Sequence, residues 1–293
     1  MKTASCAIGM IGLLIALPTP DPRTDPPPPI VPTAWLRSAL GAPDLIVLAV
    51  AANEGQLRGG RIPGARLITL AAVAPNDDGR LPPVEVVRAA LETAGVSDRS
   101  RVVLYGEPMV TARVWAALEM VGLGDRAGLL DGGLSAWRAA GASLTTEAPL
   151  VEPGRIAGAV PRLERFVDAA WVERRLDDPS VLVLDVREDD EYSGADGGHG
   201  GAHAIGHIPG ATHLNWNRLF RPDGTFLPPA ELAALFRSVG GRPGRTIVPY
   251  CMVGLRASVA YLAAKVAGMP VRLFPGSIIE WGAKGFATRK TVP

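Results

Sequence analysis

Short runs of uninterrupted apolar residues alternate along this chain with longer segments in which apolar positions recur every three or four residues. The runs at 45–50 (LIVLAV) and 181–186 (VLVLDV) are nearly continuous rather than alternating, the pattern of a strand buried on both faces of a parallel sheet. Each is followed by a polar loop and an Ile-Pro-Gly-Ala turn, then by an amphipathic segment, 83–94 or 229–239, that reads as a helix. A second apolar run, 102–105 or 246–250, leads straight into another helical segment, 112–121 or 257–267. Strands alternating with helices predict an α/β architecture in which a parallel sheet is covered on both faces.

The pattern occurs twice. Besides the paired strands, GRIPGA at 60–65 returns as GHIPGA at 206–211, and DGGLSAWRAAG at 131–141 returns as PGSIIEWGAKG at 275–285. Order is kept, and the second copy is longer by a stretch that coincides with the Gly/His-rich GADGGHGGAH. The expected organisation is a signal-like segment and Pro-rich linker at 1–33, a first domain at 34–145, a linker at 146–161 and a second domain at 162–293. The N-terminus has one cation, Lys2, followed by an uncharged, mostly apolar stretch to Leu17, which resembles a secretory signal and is too short for a comfortable membrane span. Export to the periplasm or outside the cell is therefore the expectation, with a disordered tail on a cytoplasmic protein as the alternative. The proline-dense run 18–32 reads as a stiff, extended spacer outside any core.

A length of 293 residues, 47% hydrophobic, suits two domains with adequate cores. The formal net charge of +1 provides no general attraction for nucleic acid. Two cysteines, Cys6 and Cys251, leave no room for a disulfide framework or a four-thiolate zinc site. His199, His203 and His207 are spaced by four, but the glycines around them argue against a helix, so a flexible surface insertion is expected and no metal site. Trp171, Trp216 and Trp281 read as packing residues, with Trp216 nearest the pocket.

Any chemistry at sulfur therefore falls on single residues. In TIVPYCMVGLRASVAYLAAKV, Cys251 directly follows a strand, and Arg256 stands where a helix begins. Ligands of open α/β sheets bind outside the carboxyl ends of strands. A tight loop feeding a helix points backbone N–H groups into one concavity and adds the helix's partial positive charge, a setting that favours a thiolate nucleophile. The alternative is a buried cysteine acting as a small hydrophobe.

LDVR at 184–187, GHIPGA, the Cys-x4-Arg loop at 251–256 and the Gly-Ser-x-x-Glu-Trp stretch at 276–281 together resemble the rhodanese sulfurtransferases, and the doubling resembles their tandem form. The resemblance implies two rhodanese-like α/β domains, with the loop cysteine as covalent carrier of a sulfane sulfur. That sulfur would pass from a small anionic donor such as thiosulfate to cyanide or a thiol, without a cofactor. It implies catalytic roles for Cys251 and Arg256, and a loop of Met252, Val253, Gly254 and Leu255 around the substrate. Arg187, at the D-x-R position, would contact the donor's oxygens, with a structural ion pair to Asp185 or the acidic run 188–191 as its alternative. Phosphatases that share the fold place five residues between cysteine and arginine; four make a tighter ring suited to a persulfide. Mercaptopyruvate-specific relatives carry a serine two residues after the cysteine and an acid and a histidine on the first domain; Val253 and Arg61 stand at the positions that can be matched, which favours the thiosulfate type. The apolar Met252, Val253 and Leu255 leave room for a persulfide or thiosulfonate donor. In the first copy Ala49, Ala51 and Tyr105-Gly106-Glu107 replace Asp185, Arg187 and the Cys251 region, so that half is expected to keep the scaffold without the chemistry. A sulfur-relay or protein-binding module without free turnover is the competing function.

Overall fold

The computed structural model describes residues 21–75, 78–196 and 205–291. The apolar N-terminal stretch with Cys6, and His199 and His203, lie outside these residues.

Two parallel sheets are present. The first has five strands, β1 (Ile30–Val31), β2 (Leu45–Val50), β3 (Arg66–Ile68), β4 (Arg101–Gly106) and β5 (Ala127–Leu130), in the order β1-β5-β4-β2-β3. The second is built from β6 (Val181–Asp185), β7 (Thr212–His213) and β8 (Thr246–Tyr250), in the order β7-β6-β8. Parallel bridges from Ile247 to Val271 and from Phe166 to Leu273 extend it. β2 and β4, like β6 and β8, are buried almost throughout, as their continuous apolar sequence requires.

Helices form where expected, with shifted starts; besides those described below, α1 (Thr33–Ala39), α2 (Leu70–Val73), α5 (Gly133–Ala139), α6 (Ala169–Glu173) and α10 (Ser277–Ala283) complete the set among the described residues. α3 (Val84–Thr93) and α8 (Pro229–Ser238) match the amphipathic segments. α4 (Pro108–Met120) begins four residues before 112, because Pro108 suits a first helical position and the Glu107 carboxylate accepts the Val110 N–H. α9 (Leu255–Val266) begins at Leu255, after Gly254 in a left-handed conformation. α4 and α9 are buried along most of their lengths and pack against each other, joining the two halves through one continuous hydrophobic core. Inside that contact the buried Glu119 of α4 accepts hydrogen bonds from Lys265 Nζ at 2.8 and 2.9 Å and from the Tyr261 hydroxyl at 3.3 Å, both on α9.

The repeat is visible in detailed bonding. The Tyr105 hydroxyl accepts the Ile62 N–H at 3.2 Å, and in the second half the Tyr250 hydroxyl accepts the Ile208 N–H at 3.0 Å. Trp137 Nε1 donates to Ser143 O and Trp281 Nε1 to Ala287 O, each at 2.9 Å, so both tryptophans fasten the chain beyond their helices.

The proline-dense segment departs from the expected free spacer. Its described part docks on the first half: Arg101, fully buried in β4, pairs with Asp44 and donates to the carbonyls of Pro22, Arg23 and Asp25, and β1 then adds a strand to the sheet edge. The segment between the halves is likewise held. Asp98 accepts N–H bonds from Ala157, Gly158 and Ala159, which keep its carboxyl below the ordinary range.

Candidate active site

Cys251 follows β8 at the carboxyl edge of the second sheet and is 1% exposed. Its peptide is held on both sides. The Cys251 N–H donates to Ser277 Oγ at 3.0 Å, the Ser277 hydroxyl donates to Phe274 O, and the Ile278 N–H donates to Cys251 O at 3.1 Å. Ser277 is the one non-glycine residue with positive φ among the described residues, at 54°; its counterpart in the first half is Gly133, at 56°. A serine held there costs about 1 kcal/mol of backbone strain, and in return its hydroxyl fixes the nucleophile's backbone. Gly254 turns the loop at φ +83°, and a Cβ there would collide with Pro275 O, so only glycine fits.

Arg256 lies at the start of α9 with its guanidinium forked onto Glu191, at 2.5 and 2.9 Å, and in hydrogen-bonding reach of Cys251. Burial works against its charge, but Glu191 and Cys251 outweigh that and hold its pKa above the ordinary value. Glu191 is buried, which works against its charge, but Arg256 outweighs that and keeps its carboxyl below the usual range. This carboxylate was not singled out in the sequence; its signal was a Glu in the first turn of a short helix, α7 (Asp189–Ser193), where Glu188 and Glu191 form a capping box.

A cavity of about 540 Å³ opens over the cysteine, lined by Cys251, Met252, Val253, Leu255 and Arg256 from the loop and helix, by Met109 from α4 of the first half, and by Glu188, Asp190, Glu191 and Asp196. The loop residues expected around substrate thus come together, except Gly254, which is buried and shapes the turn. Trp216 stands one bond away, its Nε1 donating to Glu188 Oε1 at 3.0 Å.

Arg187 is placed differently from the donor-contacting role. It is fully buried and absent from the cavity wall; its guanidinium pairs with Asp185 at 2.6 Å and donates to Gly206 O. Asp185 also accepts the Tyr250 hydroxyl at 2.6 Å. Arg187 therefore ties β6, β8 and the turn at 206–211 together beneath the site, the ion-pair alternative of the sequence reading. The physical reason is proximity: two residues beyond Asp185 at a strand end, the side chain folds back onto the carboxylate. His207 and His213 stack on opposite sides of the Tyr192 ring, with centroids at 4.1 and 4.5 Å, and are used in packing.

The rhodanese-like domain family matches the chain twice, over residues 33–140 and 168–284. A Pseudomonas aeruginosa protein named as a probable 3-mercaptopyruvate sulfurtransferase is 36% identical, covering 84% of this chain and 92% of that protein. The Thermus thermophilus sulfur carrier protein TtuD is 32% identical over 87% and 94% of the two chains. The thiosulfate sulfurtransferase of Azotobacter vinelandii is 28% identical over 87% and 94%. Among solved structures, the anaerobic ergothioneine biosynthesis enzyme of Chlorobium limicola superposes with a TM-score of 0.81 at 23% identity, covering 90% of this chain and 71% of that one, a likeness of fold.

Proposed function

The chain belongs to the rhodanese family, whose matching relatives include thiosulfate and 3-mercaptopyruvate sulfurtransferases, and on that premise we propose that it transfers a sulfane sulfur through a persulfide on Cys251. The observation that carries this reading is the position of Cys251: a cysteine at the floor of a cavity between the halves, with its backbone fixed by Ser277 and Arg256 beside it. The Cys251 thiolate attacks the outer sulfur of the donor. The new S–S bond forms as the donor's sulfur–sulfur bond breaks, and its electron pair leaves with sulfite from thiosulfate, with a sulfinate from a thiosulfonate, or with a thiolate from an organic persulfide. An acceptor thiolate or cyanide then attacks the terminal sulfur and returns the Cys251 thiolate. Arg256 stabilises the anion on sulfur in both steps.

The cavity's chemistry narrows the donor. Four carboxylates face one guanidinium across its wall, and the rest of the lining is apolar, from Met109, Met252, Val253 and Leu255. A dianion such as thiosulfate has to approach against that field, a singly charged sulfane donor does so at about half the cost, and a neutral one does not. Organic persulfides and thiosulfonates are therefore the preferred donors of this reading, with thiosulfate a poor one.

Mass spectrometry after donor treatment tests the carrier: the wild type gains one sulfur atom at Cys251, and a folded Cys251→Ser variant gains none and has no turnover. A sulfur retained elsewhere, or substantial activity in that variant, would overturn the assignment. Steady-state turnover with a small thiol separates an enzyme from a relay module that releases sulfur only to a docked partner.

A further inference from the structure

Four arginines of the described residues are buried: Arg61, Arg101, Arg113 and Arg187. Three face a carboxylate, on Glu54, Asp44 and Asp185 respectively. Arg113, in the middle of α4 and 3% exposed, has no carboxylate partner among the described residues. Its Nη2 donates to Gly79 O at 2.5 Å, and its Nη1 is buried without a hydrogen-bond partner. Burial pulls its pKa down to about 10, and an ionised Cys251 would oppose that fall. A guanidinium at that value is still a cation at neutral pH.

Arg113 also meets the nucleophile's loop mechanically. Gly79 presses on that loop so closely that a Cβ would come within 2.6 Å of Val253 O and 2.7 Å of Pro275 O. By holding the Gly79 carbonyl, Arg113 seats this strap of the first half against the back of the loop that carries Cys251. A buried, unpaired charge is costly, and it is tolerated where an anion forms nearby for part of the working cycle.

Building on the reading of Cys251 as sulfur carrier, we propose that Arg113 is a positioning residue of the reaction: from the half that lacks a nucleophile, it supplies the counter-charge for the thiolate and persulfide anions of Cys251 and seats the Gly79 strap behind their loop. Arg256 gives its fork to Glu191, whereas Arg113 has an open donor and no competing carboxylate.

The test compares wild type with Arg113→Met and Arg113→Lys by the pH dependence of alkylation of Cys251 with iodoacetamide, a readout that needs no sulfur transfer. Removing the charge is expected to move the midpoint up by about one pH unit, slowing alkylation at neutral pH about tenfold, while the lysine variant recovers most of the loss. A purely structural Arg113 would leave the midpoint in place. Because Arg113→Met could fail to fold, the wild type provides a second readout: the Arg113 guanidinium nitrogen resonances are expected to shift with the ionisation of Cys251 and to lose that titration in Cys251→Ser. An unchanged midpoint in folded Arg113→Met, or resonances indifferent to Cys251, overturns the proposal. A wild type that never acquires sulfur at Cys251 overturns instead the function on which it rests.

Discussion

Ser277 shows how one residue exchanges local strain for precision at a neighbour. Glycine at this position would adopt φ 54° without penalty, relieving about 1 kcal/mol, but it would lose the acceptor for the Cys251 N–H, worth about the same. Ser277→Gly is therefore expected to leave stability within about 1 kcal/mol of wild type while lowering turnover up to about tenfold, because the nucleophile's backbone is no longer fixed. Ser277→Ala loses the same acceptor and also keeps the strain, so it should be less stable than the glycine variant by about 1 kcal/mol. Denaturant melts of the three proteins decide this, and equal stability for the alanine and glycine variants would refute the account. Cys251 and Arg256 were legible from the sequence because strand, loop and helix start are consecutive there. Ser277 was visible only as part of a repeated motif, since its partner lies 26 residues upstream. Arg187 was legible in place and ambiguous in role: the same D-x-R spacing that brings it to the sheet edge also lets it close on Asp185.

Elements whose identity rests on apolar periodicity were read from the sequence to within a few residues; those held by polar contacts to backbone were not. Nothing in the proline-dense run announces that Arg101 will collect three of its carbonyls, because carbonyls carry no side-chain signature and the arginine is more than 70 residues away. The segment between the halves is similar: its attachment to Asp98 depends on three successive N–H groups, which carry no side-chain signature. That attachment makes a pH prediction. Asp98 has a lowered pKa in the folded protein, so its contribution is complete above the unfolded carboxylate value of about 4 and is lost as pH falls through the lower folded value. Asp98→Asn should cost about 1 kcal/mol at neutral pH, allowing for solvent screening at a partly exposed site, and the gap to wild type should close at strong acid. Thermal melts between pH 7 and about 2.5 check it; a gap that stays constant would mean that charge on Asp98 plays no part.

At the scale of the whole molecule, a formal net charge of +1 conceals a local imbalance, because four carboxylates of the 188–196 segment line the cavity over Cys251 against the single guanidinium of Arg256 in its wall. Composition averages could not reveal it. Added salt should therefore raise kcat/KM for thiosulfate more than for a singly charged thiosulfonate, since screening relieves the dianion more than the monoanion. Asp190→Asn, at an exposed position of the rim, should raise the thiosulfate value several-fold at low salt, and a fall would show that the field at the mouth is not the barrier. The junction of α4 with α9 constrains the molecule's history. Glu119 is 1% exposed, and its hydrogen bonds come from Lys265 and Tyr261 across the repeat boundary. A single half cut loose would carry an orphaned buried carboxylate or a bare apolar helix face. The two copies are therefore not interchangeable beads: a rearrangement that moved one half alone would leave a buried group unpaired, and only the pair can be exchanged intact.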